Sequence, residues 1–301
     1  MTLTELKYIV TLARERHFGH AAEKCFVSQP TLSVAIKKLE SELDVAIFER
    51  SKSTVSVTPL GEQIVAQAQR VLEESRTIRE LASAGKNQLN TPLKIGAIFT
   101  IGPYLFPHLV PQIRLQAPEM GLYLEENFTA VLRRQLREGE LDAIIVALPF
   151  NEPDVLTRPL YDENFVVVLP KQHALCAESA IKPESILQEH LLMLGEGHCF
   201  RDQVFEHCPA LRKKQSERLG TVTEGSSLET LKLMVATGLG ISVLPESAIS
   251  PNDHALIETR PFVTPAPFRT VALAWRASFP RGQAIDLLLS TARQCRIRPA
   301  G

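Results

Sequence analysis

The sequence has no excess of charge of either sign. Its 301 residues carry 33 Lys and Arg against 34 Asp and Glu, a formal net charge of −1, so overall charge does not indicate a nucleic-acid-binding protein. The first sixty residues hold 8 basic and 7 acidic side chains, so they do not form a basic domain. Any argument for DNA binding must therefore rest on local pattern.

The sequence also lacks the segments that would place it in or across a membrane. No apolar run reaches the roughly 18 residues of a transmembrane helix. The N-terminus has neither the basic region nor the apolar region of a signal peptide. We therefore expect a cytoplasmic protein with no membrane partner.

The cysteines form no regular pattern. They are odd in number and unevenly spaced, which fits neither a secreted disulfide framework nor a zinc site, and we expect no metal and no cofactor. In a reducing compartment, a disulfide would be a transient signal and not a permanent crosslink. The five cysteines are Cys25, Cys176, Cys199, Cys208 and Cys295.

Apolar periodicity in the first sixty residues predicts three helices. Leu3–Glu15 and residues 18–25 each present one apolar face. Ser28 is a good N-cap, and Pro30 is tolerated in the first turn of the helix that follows. Two short helices joined by a tight turn fit a helix-turn-helix, whose second helix would enter the DNA major groove.

The same region supplies candidate DNA contacts. Polar residues at the start of the third helix could reach base edges, and its lysines could meet phosphates. Residues 47–50 and 55–58 predict a two-stranded wing, whose tip at residues 51–53 would lie along the DNA backbone or minor groove. The alternative interpretation is a solvated surface helix that carries two lysines. The candidate DNA-binding residues are Ser28, Gln29, Pro30, Thr31, Ser33, Lys37, Lys38 and Arg50.

One long helix is predicted from Pro59 onward. Apolar and small residues recur at alternating steps of four and three, which is the seam of a coiled coil. A helix of about 40 Å could bury this seam against a second copy of itself, so we expect a dimer. The alternative is a surface helix packed on its own domain. Polar residues 87–92 predict a hinge. The seam consists of Leu60, Ile64, Ala68, Val71, Ser75, Ile78, Ala82 and Gly85.

Strands and helices alternate after Pro92, which is the βαβ pattern of a largely parallel sheet with covered faces. The pattern predicts two α/β subdomains that are linked by two crossings of the chain. The predicted strands cover residues 93–99, 122–125, 143–147, 165–170, 191–194, 241–245 and 270–275, and the predicted helices cover residues 103–116, 131–138, 226–237 and 283–294.

Two threonines follow predicted strands. Thr100 follows the first strand and Thr129 follows the second. Because ligands of such sheets bind outside the carboxyl ends of the strands, both threonines are predicted to face a cleft. The alternative role for each threonine is a helix cap.

The stretch from Gly195 to Cys208 contains two cysteines that are nine positions apart. A histidine precedes each cysteine and Arg201 follows the first, and positive charge near sulfur favours the reactive thiolate. A loop that runs into a helix would place Cys199 in the first helical turn. Along one helix the two Cα atoms would lie about 13 Å apart, whereas a disulfide needs about 7 Å or less. A bond would thus require the helix to unfold; the alternative is two buried, apolar thiols.

The N-terminal region resembles the winged helix-turn-helix of LysR-type transcriptional regulators. The resemblance implies an α/β protein with a winged helix-turn-helix DNA-binding domain (1–58), a coiled-coil linker helix for dimerisation (59–86), a hinge (87–92) and a two-subdomain, periplasmic-binding-protein-like effector domain (93–301). Subdomain I would cover about 93–162 and 268–301, and subdomain II about 163–267. The matching residues and segments are Phe18, Ala21-Ala22, Ser28-Gln29-Pro30-Thr31-Leu32-Ser33, Ile36-Lys37-Lys38-Leu39-Glu40, Leu43, Phe48-Glu49-Arg50 and Thr58-Pro59-Leu60-Gly61.

The motif around Cys199 closely resembles that of peroxide-sensing members of this family. The resemblance implies that hydrogen peroxide oxidises Cys199 and that Cys208 then forms a disulfide with it, which changes DNA contacts and activates transcription of oxidative-stress genes. It implies a protein that is not an enzyme. The implied partners are double-stranded DNA, RNA polymerase, thiol reductants and further copies of the chain in a homodimer or homotetramer. The implied peroxide pocket consists of Thr100, Thr129, His198, Arg201, Asp202 and Arg269.

Two other functions remain open at the level of sequence. A LysR-type regulator could respond to an ordinary metabolite in the cleft, with cysteines that are only structural. A thiol peroxidase could carry a DNA-binding-like domain, although a winged domain and a dimer helix would serve no purpose in such an enzyme.

Overall fold

The computed structural model describes residues 1–50, 55–84, 88–209 and 222–295. The chain divides into two compact units, Met1–Gly85 and Lys86–Gly301. Within the described residues, no helix is both long enough and apolar enough to cross a membrane. In the same part of the chain, no group of three or more His, Cys, Asp or Glu side chains is placed to hold a metal ion.

The first unit contains the predicted three helices, two wing strands and long helix. Ser28 caps the third helix as predicted, because its hydroxyl accepts a hydrogen bond from the Thr31 amide at 3.3 Å. The wing strands pair antiparallel; the predicted wing tip at residues 51–53 and the side chain of Arg50 lie outside the described part. The elements are α1 Leu3–Glu15, α2 Phe18–Cys25, α3 Gln29–Leu43, β1 Phe48–Arg50, β2 Val55–Val57 and α4 Pro59–Ala84.

Part of the predicted coiled-coil seam is used within the unit itself. Ala68 is buried, and Ile64 packs against the same core, so the alternative of packing on its own domain holds for the first half of α4. Further along the helix, Val71 is 37% and Ile78 is 68% exposed. Leu60, at the start of the seam, is also 48% exposed. Leu60 and the exposed residues of the second half are therefore free to meet another chain, and the dimer remains a prediction.

The second unit contains all seven strands that the sequence predicts, and two short strands that it does not, β8 and β10. Its elements are β3 Leu93–Ile98, α5 Gly102–Gln116, β4 Leu122–Asn127, α6 Thr129–Arg137, β5 Ala143–Ala147, β6 Val155–Pro170, β7 Leu191–Leu194, α7 Cys199–His207, β8 Val222–Gly225, α8 Leu228–Ala236, β9 Ile241–Pro245, β10 Ile257–Pro261, β11 Phe268–Arg276 and α9 Gly282–Gln294, with 3-10 helices at Ala174–Ala177, Ser185–Gln188, Glu246–Ala248 and Pro251–Ala255.

A continuous sheet joins the two halves of the second unit. Its strand order is β4-β3-β5-β11-β6-β9-β7-β8, and β10 also pairs with β6. The strand β6 is 16 residues long and starts ten residues before the predicted start at residue 165. Its first part pairs antiparallel with β11, and its last part pairs with β9 and β10. The expected subdomain boundaries near residues 162 and 268 fall on this pairing.

Two separate apolar cores lie on either side of the crossing. One core is built mainly from β3, β5, α5 and α9, and the other from β7, β9, α7, α8 and the end of β6. The predicted hinge is partly fixed: the Arg281 guanidinium donates to the carbonyl oxygens of Gln88, Thr91 and Pro92 at 2.6–3.0 Å. Residues 88–92 are therefore anchored to the second unit.

Candidate functional site

Loops that follow β3, β4 and β7 enclose a small cavity at the start of α7. The strands β3 and β4 run parallel, so their carboxyl ends meet at one edge of the sheet. The cavity has a volume of about 10 Å³, which is close to the space that one water-sized molecule needs. The lining residues are Ile98, Phe99, Thr100, Asn127, Phe128, Thr129, Gly197, His198 and Cys199.

The turn before α7 is shaped by a glycine and two aromatic rings. Gly197 has a φ of 92°, in the left-handed region that favours glycine, and an added Cβ would lie 3.3 Å from the Phe128 ring. His198 follows as the N-cap residue of α7. Its ring centroid lies 4.8 Å from that of Phe128 and 5.9 Å from that of Phe99. Burial lowers the pKa of His198, which keeps the imidazole neutral near pH 7.

Cys199 occupies the first turn of α7, as predicted. Burial raises its pKa, and this effect outweighs a hydrogen bond from Thr129 and the Arg269 charge, which lower it; the nearby Asp202 carboxylate raises it further. Positive charge therefore favours the thiolate as predicted, but it comes from Arg269 and not from His198 or Arg201, and burial outweighs it. Burial lowers the pKa of His198, and the Arg201 guanidinium pairs with Glu224.

The hydroxyl groups of the two predicted threonines differ in their hydrogen bonds. The buried Oγ1 of Thr129 has no well-aligned hydrogen-bond partner among the described residues, although it approaches the Cys199 sulfur closely enough to lower the thiol pKa. The Oγ1 of Thr100 accepts a 2.8 Å hydrogen bond from Arg269. A hydroxyl that accepts one hydrogen bond can still donate its own proton, so both groups can bind a small polar ligand.

Arg269 supports the cavity from behind. Its guanidinium donates to Thr100 twice, to the hydroxyl and to the carbonyl oxygen, each at 2.8 Å, and it forms a 2.6 Å ion pair with Glu163. The other carboxylate oxygen of Glu163 accepts from the Ser247 amide at 3.1 Å. Arg269 and Glu163 are register partners of β11 and β6. The position of Thr100 is therefore tied to the two strands that cross between the halves of the unit.

The structure brings Thr100, Thr129, His198 and Cys199 together but leaves three predicted pocket residues outside the cavity wall. Arg201 instead forms a 2.7 Å ion pair with Glu224. Asp202 is exposed on α7, and its charge raises the pKa of Cys199. Arg269 reaches the cavity through Thr100.

Some contributors to this region were not predicted. Phe99, Asn127 and Phe128 line the cavity, and their signal in the sequence is that they adjoin the threonines at the same strand ends. Gln203 lies one turn after Cys199 on α7. Its side-chain amide donates to the Leu148 carbonyl oxygen at 3.1 Å, and its buried Oε1 has no partner within the described part of the chain.

Cys208 lies at the other end of α7 in a different environment. It is 6% exposed and belongs to the second apolar core, whereas Cys199 packs against the first. Burial raises the pKa of Cys208, and the Glu184 charge adds to the effect. Both cysteines are free thiols. Nine residues of helix separate their Cα atoms by about 13 Å along the axis.

The predicted DNA-facing surface lies on α3. Gln29, Thr31 and Lys37 are exposed, as are Ser28, Pro30 and Lys38, whereas Ser33 is half-buried. Lys38 forms a 3.3 Å ion pair with the buried Glu5 carboxylate. Burial opposes ionisation of Glu5, but hydrogen bonds from Thr2 and Lys38 outweigh it and lower its pKa. Lys37 has no ion pair within the described residues, so the two lysines differ.

Comparisons with known proteins agree with this architecture. The family model described as "LysR substrate binding domain" matches residues 86–295, and the model described as "Bacterial regulatory helix-turn-helix protein, lysR family" matches residues 3–62. The chain is 37% identical over 294 residues to the DNA-binding transcriptional dual regulator OxyR of Escherichia coli K12, covering 97% of this chain and 95% of the relative.

Solved structures of similar proteins extend over both units. A full-length OxyR mutant from Pseudomonas aeruginosa is 61% identical, with a TM-score of 0.77, over 99% of this chain and 96% of its own. A mutant of Corynebacterium glutamicum OxyR, in an H2O2-bound form, is 32% identical, with a TM-score of 0.65, over 98% of this chain and 92% of its own.

Proposed function

This chain belongs to the LysR family of bacterial regulatory helix-turn-helix proteins, and from that premise we propose that it is a DNA-binding transcriptional regulator that senses hydrogen peroxide through Cys199 and Cys208. The observation that carries the proposal is the small cavity in front of Cys199. A buried Thr129 hydroxyl without an aligned partner among the described residues lines it. Buried polar groups normally have a partner, and a small polar ligand would supply one here.

The size of the cavity distinguishes peroxide from a metabolite. A cavity of about 10 Å³ is close to the smallest space that holds one water-sized molecule, so a metabolite with many heavy atoms would enter only if the lining residues moved. The H2O2-bound structure of the Corynebacterium relative supports the same ligand. The alternative of a metabolite sensor with purely structural cysteines is therefore disfavoured.

The first chemical step is oxidation of Cys199. The thiol loses its proton, the sulfur attacks one peroxide oxygen, and the O–O bond breaks as hydroxide leaves, so that sulfur is oxidised to a sulfenic acid and peroxide is reduced. The hydroxyls of Thr100 and Thr129 orient the peroxide by hydrogen bonds. The neutral imidazole of His198, beside them, is suited to donate a hydrogen bond to the leaving oxygen, and the proton lost by the thiol converts the leaving hydroxide into water. Because burial raises the pKa of Cys199, the thiolate forms only as a minor species at neutral pH.

The second step is condensation with Cys208. Its thiol attacks the sulfenic sulfur, an S–S bond forms and water leaves. Since about 13 Å of helix separates the two positions, α7 must unwind for the bond to form. The refolded segment would alter contacts between subunits of a homodimer or homotetramer. The altered assembly would contact DNA differently, and this change would affect how RNA polymerase acts at the promoter. Cellular thiol reductants would reset the switch.

The peroxide arm is tested by single cysteine substitutions, with Cys176→Ser as the matched control. Wild type and control are expected to form a Cys199–Cys208 disulfide and to change their DNA footprint on peroxide addition. Cys199→Ser should do neither, and Cys208→Ser should stop at the sulfenic acid. Mass spectrometry and footprinting measure both. A Cys199→Ser protein that still responds to peroxide would exclude the proposal, and rapid peroxide turnover with a thiol reductant would favour a peroxidase.

The DNA arm is tested by the two neighbouring lysines of α3. Lys37→Ala is expected to lower DNA affinity and to reduce the slope of log affinity against log salt by about 0.9, the value for one lost phosphate contact. Lys38→Ala should have a smaller effect, because Glu5 already holds that lysine at 3.3 Å. The exposed Lys182 of the second unit, changed to alanine, is the control. An unchanged slope for Lys37→Ala would remove Lys37 from the DNA interface.

A further inference from the structure

The last residue of α7 is tied to the strands that cross between the two halves of the second unit. The His207 Nε2 lies 3.0 Å from the Phe268 carbonyl oxygen. A carbonyl oxygen only accepts hydrogen bonds, so this nitrogen carries the proton and donates. The His207 ring also meets Phe165 edge-on at 5.6 Å and Phe268 at 6.4 Å between centroids. Phe165 belongs to β6 and Phe268 begins β11.

The sequence suggests another role for this histidine, because imidazolium next to a cysteine favours the thiolate. The structure does not assign that role to His207. The pKa of Cys208 is raised by burial and by Glu184, and the ring nitrogen of His207 faces the Phe268 carbonyl oxygen. The contact is mechanical: it fixes the residue adjacent to the thiol that must move.

We propose that His207 is a latch, a positioning residue that holds the Cys208 end of α7 in the reduced conformation and slows closure of the disulfide. This inference rests on the proposed function, in which the Cys208 thiol attacks the Cys199 sulfenic sulfur and releases water. Cys208 is 6% exposed in the second core, and its amide donates to the Val204 carbonyl oxygen at 2.9 Å. It can leave only when the last turn of α7 opens, and the bond from His207 to Phe268 opposes that opening.

The latch has two consequences for the switch. It slows the closure step without touching the cavity, because His207 lies eight residues beyond Cys199 at the far end of the helix. It also stabilises the dithiol form relative to the disulfide, because the bond to Phe268 exists only while the last turn is folded. A thiol reductant therefore finds the disulfide easier to reduce than it would without the latch.

The test separates the two steps of oxidation in the full-length protein. His207→Phe keeps an aromatic ring but removes the N–H donor, whereas His207→Gln keeps a donor of similar reach. Glu206→Ala, at the exposed neighbouring position, is the control. Rapid-quench mass spectrometry gives the second-order rate of Cys199 oxidation and the first-order rate of disulfide closure. Equilibration with glutathione gives the stability of the disulfide.

Closure in His207→Phe is expected to be about fivefold faster than in wild type, the effect of losing one typical hydrogen bond, with the glutathione equilibrium shifted toward the disulfide by the same factor. The rate of Cys199 oxidation should not change. His207→Gln and Glu206→Ala should behave as wild type. In the reduced protein, hydrogen exchange of the Cys208 amide should be faster by the same factor in His207→Phe alone, which reports on the latch without any oxidation.

Two failures have different meanings. If wild type forms no disulfide between Cys199 and Cys208, both the proposed function and the latch are wrong. If wild type forms the disulfide but closure and amide exchange in His207→Phe match those of Glu206→Ala, the latch alone is wrong.

Discussion

The two ends of α7 hold the same functional group in opposite surroundings. At the N-terminal end, Cys199 faces a cavity with a neutral imidazole and two threonine hydroxyls. At the C-terminal end, Cys208 lies within an apolar core, and its neighbour His207 is bonded to β11. The Cys199 thiol is therefore accessible to a small molecule in the cavity, whereas the Cys208 thiol is shielded by the apolar core.

The two thiols differ in access and in polar partners more than in the direction in which burial shifts their pKa. Burial raises the pKa of both thiols, so neither is a preformed thiolate. At Cys199, however, Thr129 and Arg269 work against burial. At Cys208, the Glu184 charge acts in the same direction as burial. Polar and charged neighbours therefore partly offset the effect of burial on the pKa of Cys199 but not on that of Cys208.

The largest effect on the difference between the two cysteines is expected when the threonine hydroxyls near Cys199 are removed one at a time. Thr129→Val is expected to slow peroxide oxidation of Cys199 by roughly tenfold to a hundredfold, because it removes a group that orients the peroxide. Its effect on stability should be under about 1 kcal/mol, since no aligned hydrogen bond is lost. Stopped-flow oxidation and urea unfolding measure the two quantities.

Thr100→Val provides the comparison, because the same chemical change there breaks a buried bond. The Arg269 guanidinium would lose its 2.8 Å partner, and we expect unfolding free energy to fall by about 1–3 kcal/mol in addition to slower oxidation. DNA affinity of the reduced protein should be unaffected in both variants. Equal oxidation rates in wild type and both variants would place the peroxide outside this cavity.

A smaller effect is expected from Asp202→Asn. The Asp202 carboxylate raises the pKa of Cys199, so its removal should lower that pKa and speed oxidation at neutral pH by about twofold, a modest factor because exposed charges are screened.

The raised pKa of Cys199 also predicts how its oxidation rate depends on pH in the wild-type protein. The rate of Cys199 oxidation should rise about tenfold per pH unit, with no plateau below the ordinary thiol pKa of about 8.5. A plateau near pH 7 would show a thiolate already formed at rest.

The same raised pKa predicts the direction of a stability change with pH. Because the folded protein holds the Cys199 proton to a higher pH than the unfolded chain does, its contribution to stability is complete below the unfolded pKa. It is lost as pH rises through the folded pKa. Cys199→Ser should remove this alkaline component from the unfolding profile.

Much of the fold was predictable because strands that are buried on both faces appear in the sequence as short apolar runs. All residues of β5, β7 and β9 are buried, and each was identified as an apolar run. The first part of β6 was missed because it includes the exposed pair Arg158 and Pro159, which are typical of a loop. Its strand conformation is imposed by pairing with β11, which lies more than a hundred residues away.

The convergence of the site was predictable from one rule, that parallel strands end at a common edge. Because Thr100 and Thr129 each follow one of these strands, the rule predicts that the two threonines lie close together. The bonding of Arg201 to Glu224 and the raised pKa of Cys199 were not predictable. Both depend on burial and on partners from distant segments of the chain. The residues close to Cys199 in the sequence, His198 and Arg201, instead suggested a lowered thiol pKa.

The dimensions of the cavity at Cys199 also define a molecular filter. The rings of Phe99 and Phe128 stand edge to face with centroids 5.2 Å apart, and the His198 ring closes the group. A peroxide with hydrogen on both oxygens is the smallest that could enter such a space, whereas one that carries an alkyl chain would enter only if the rings moved apart. Selectivity among oxidants would then be set by aromatic packing and not by the chemistry of sulfur.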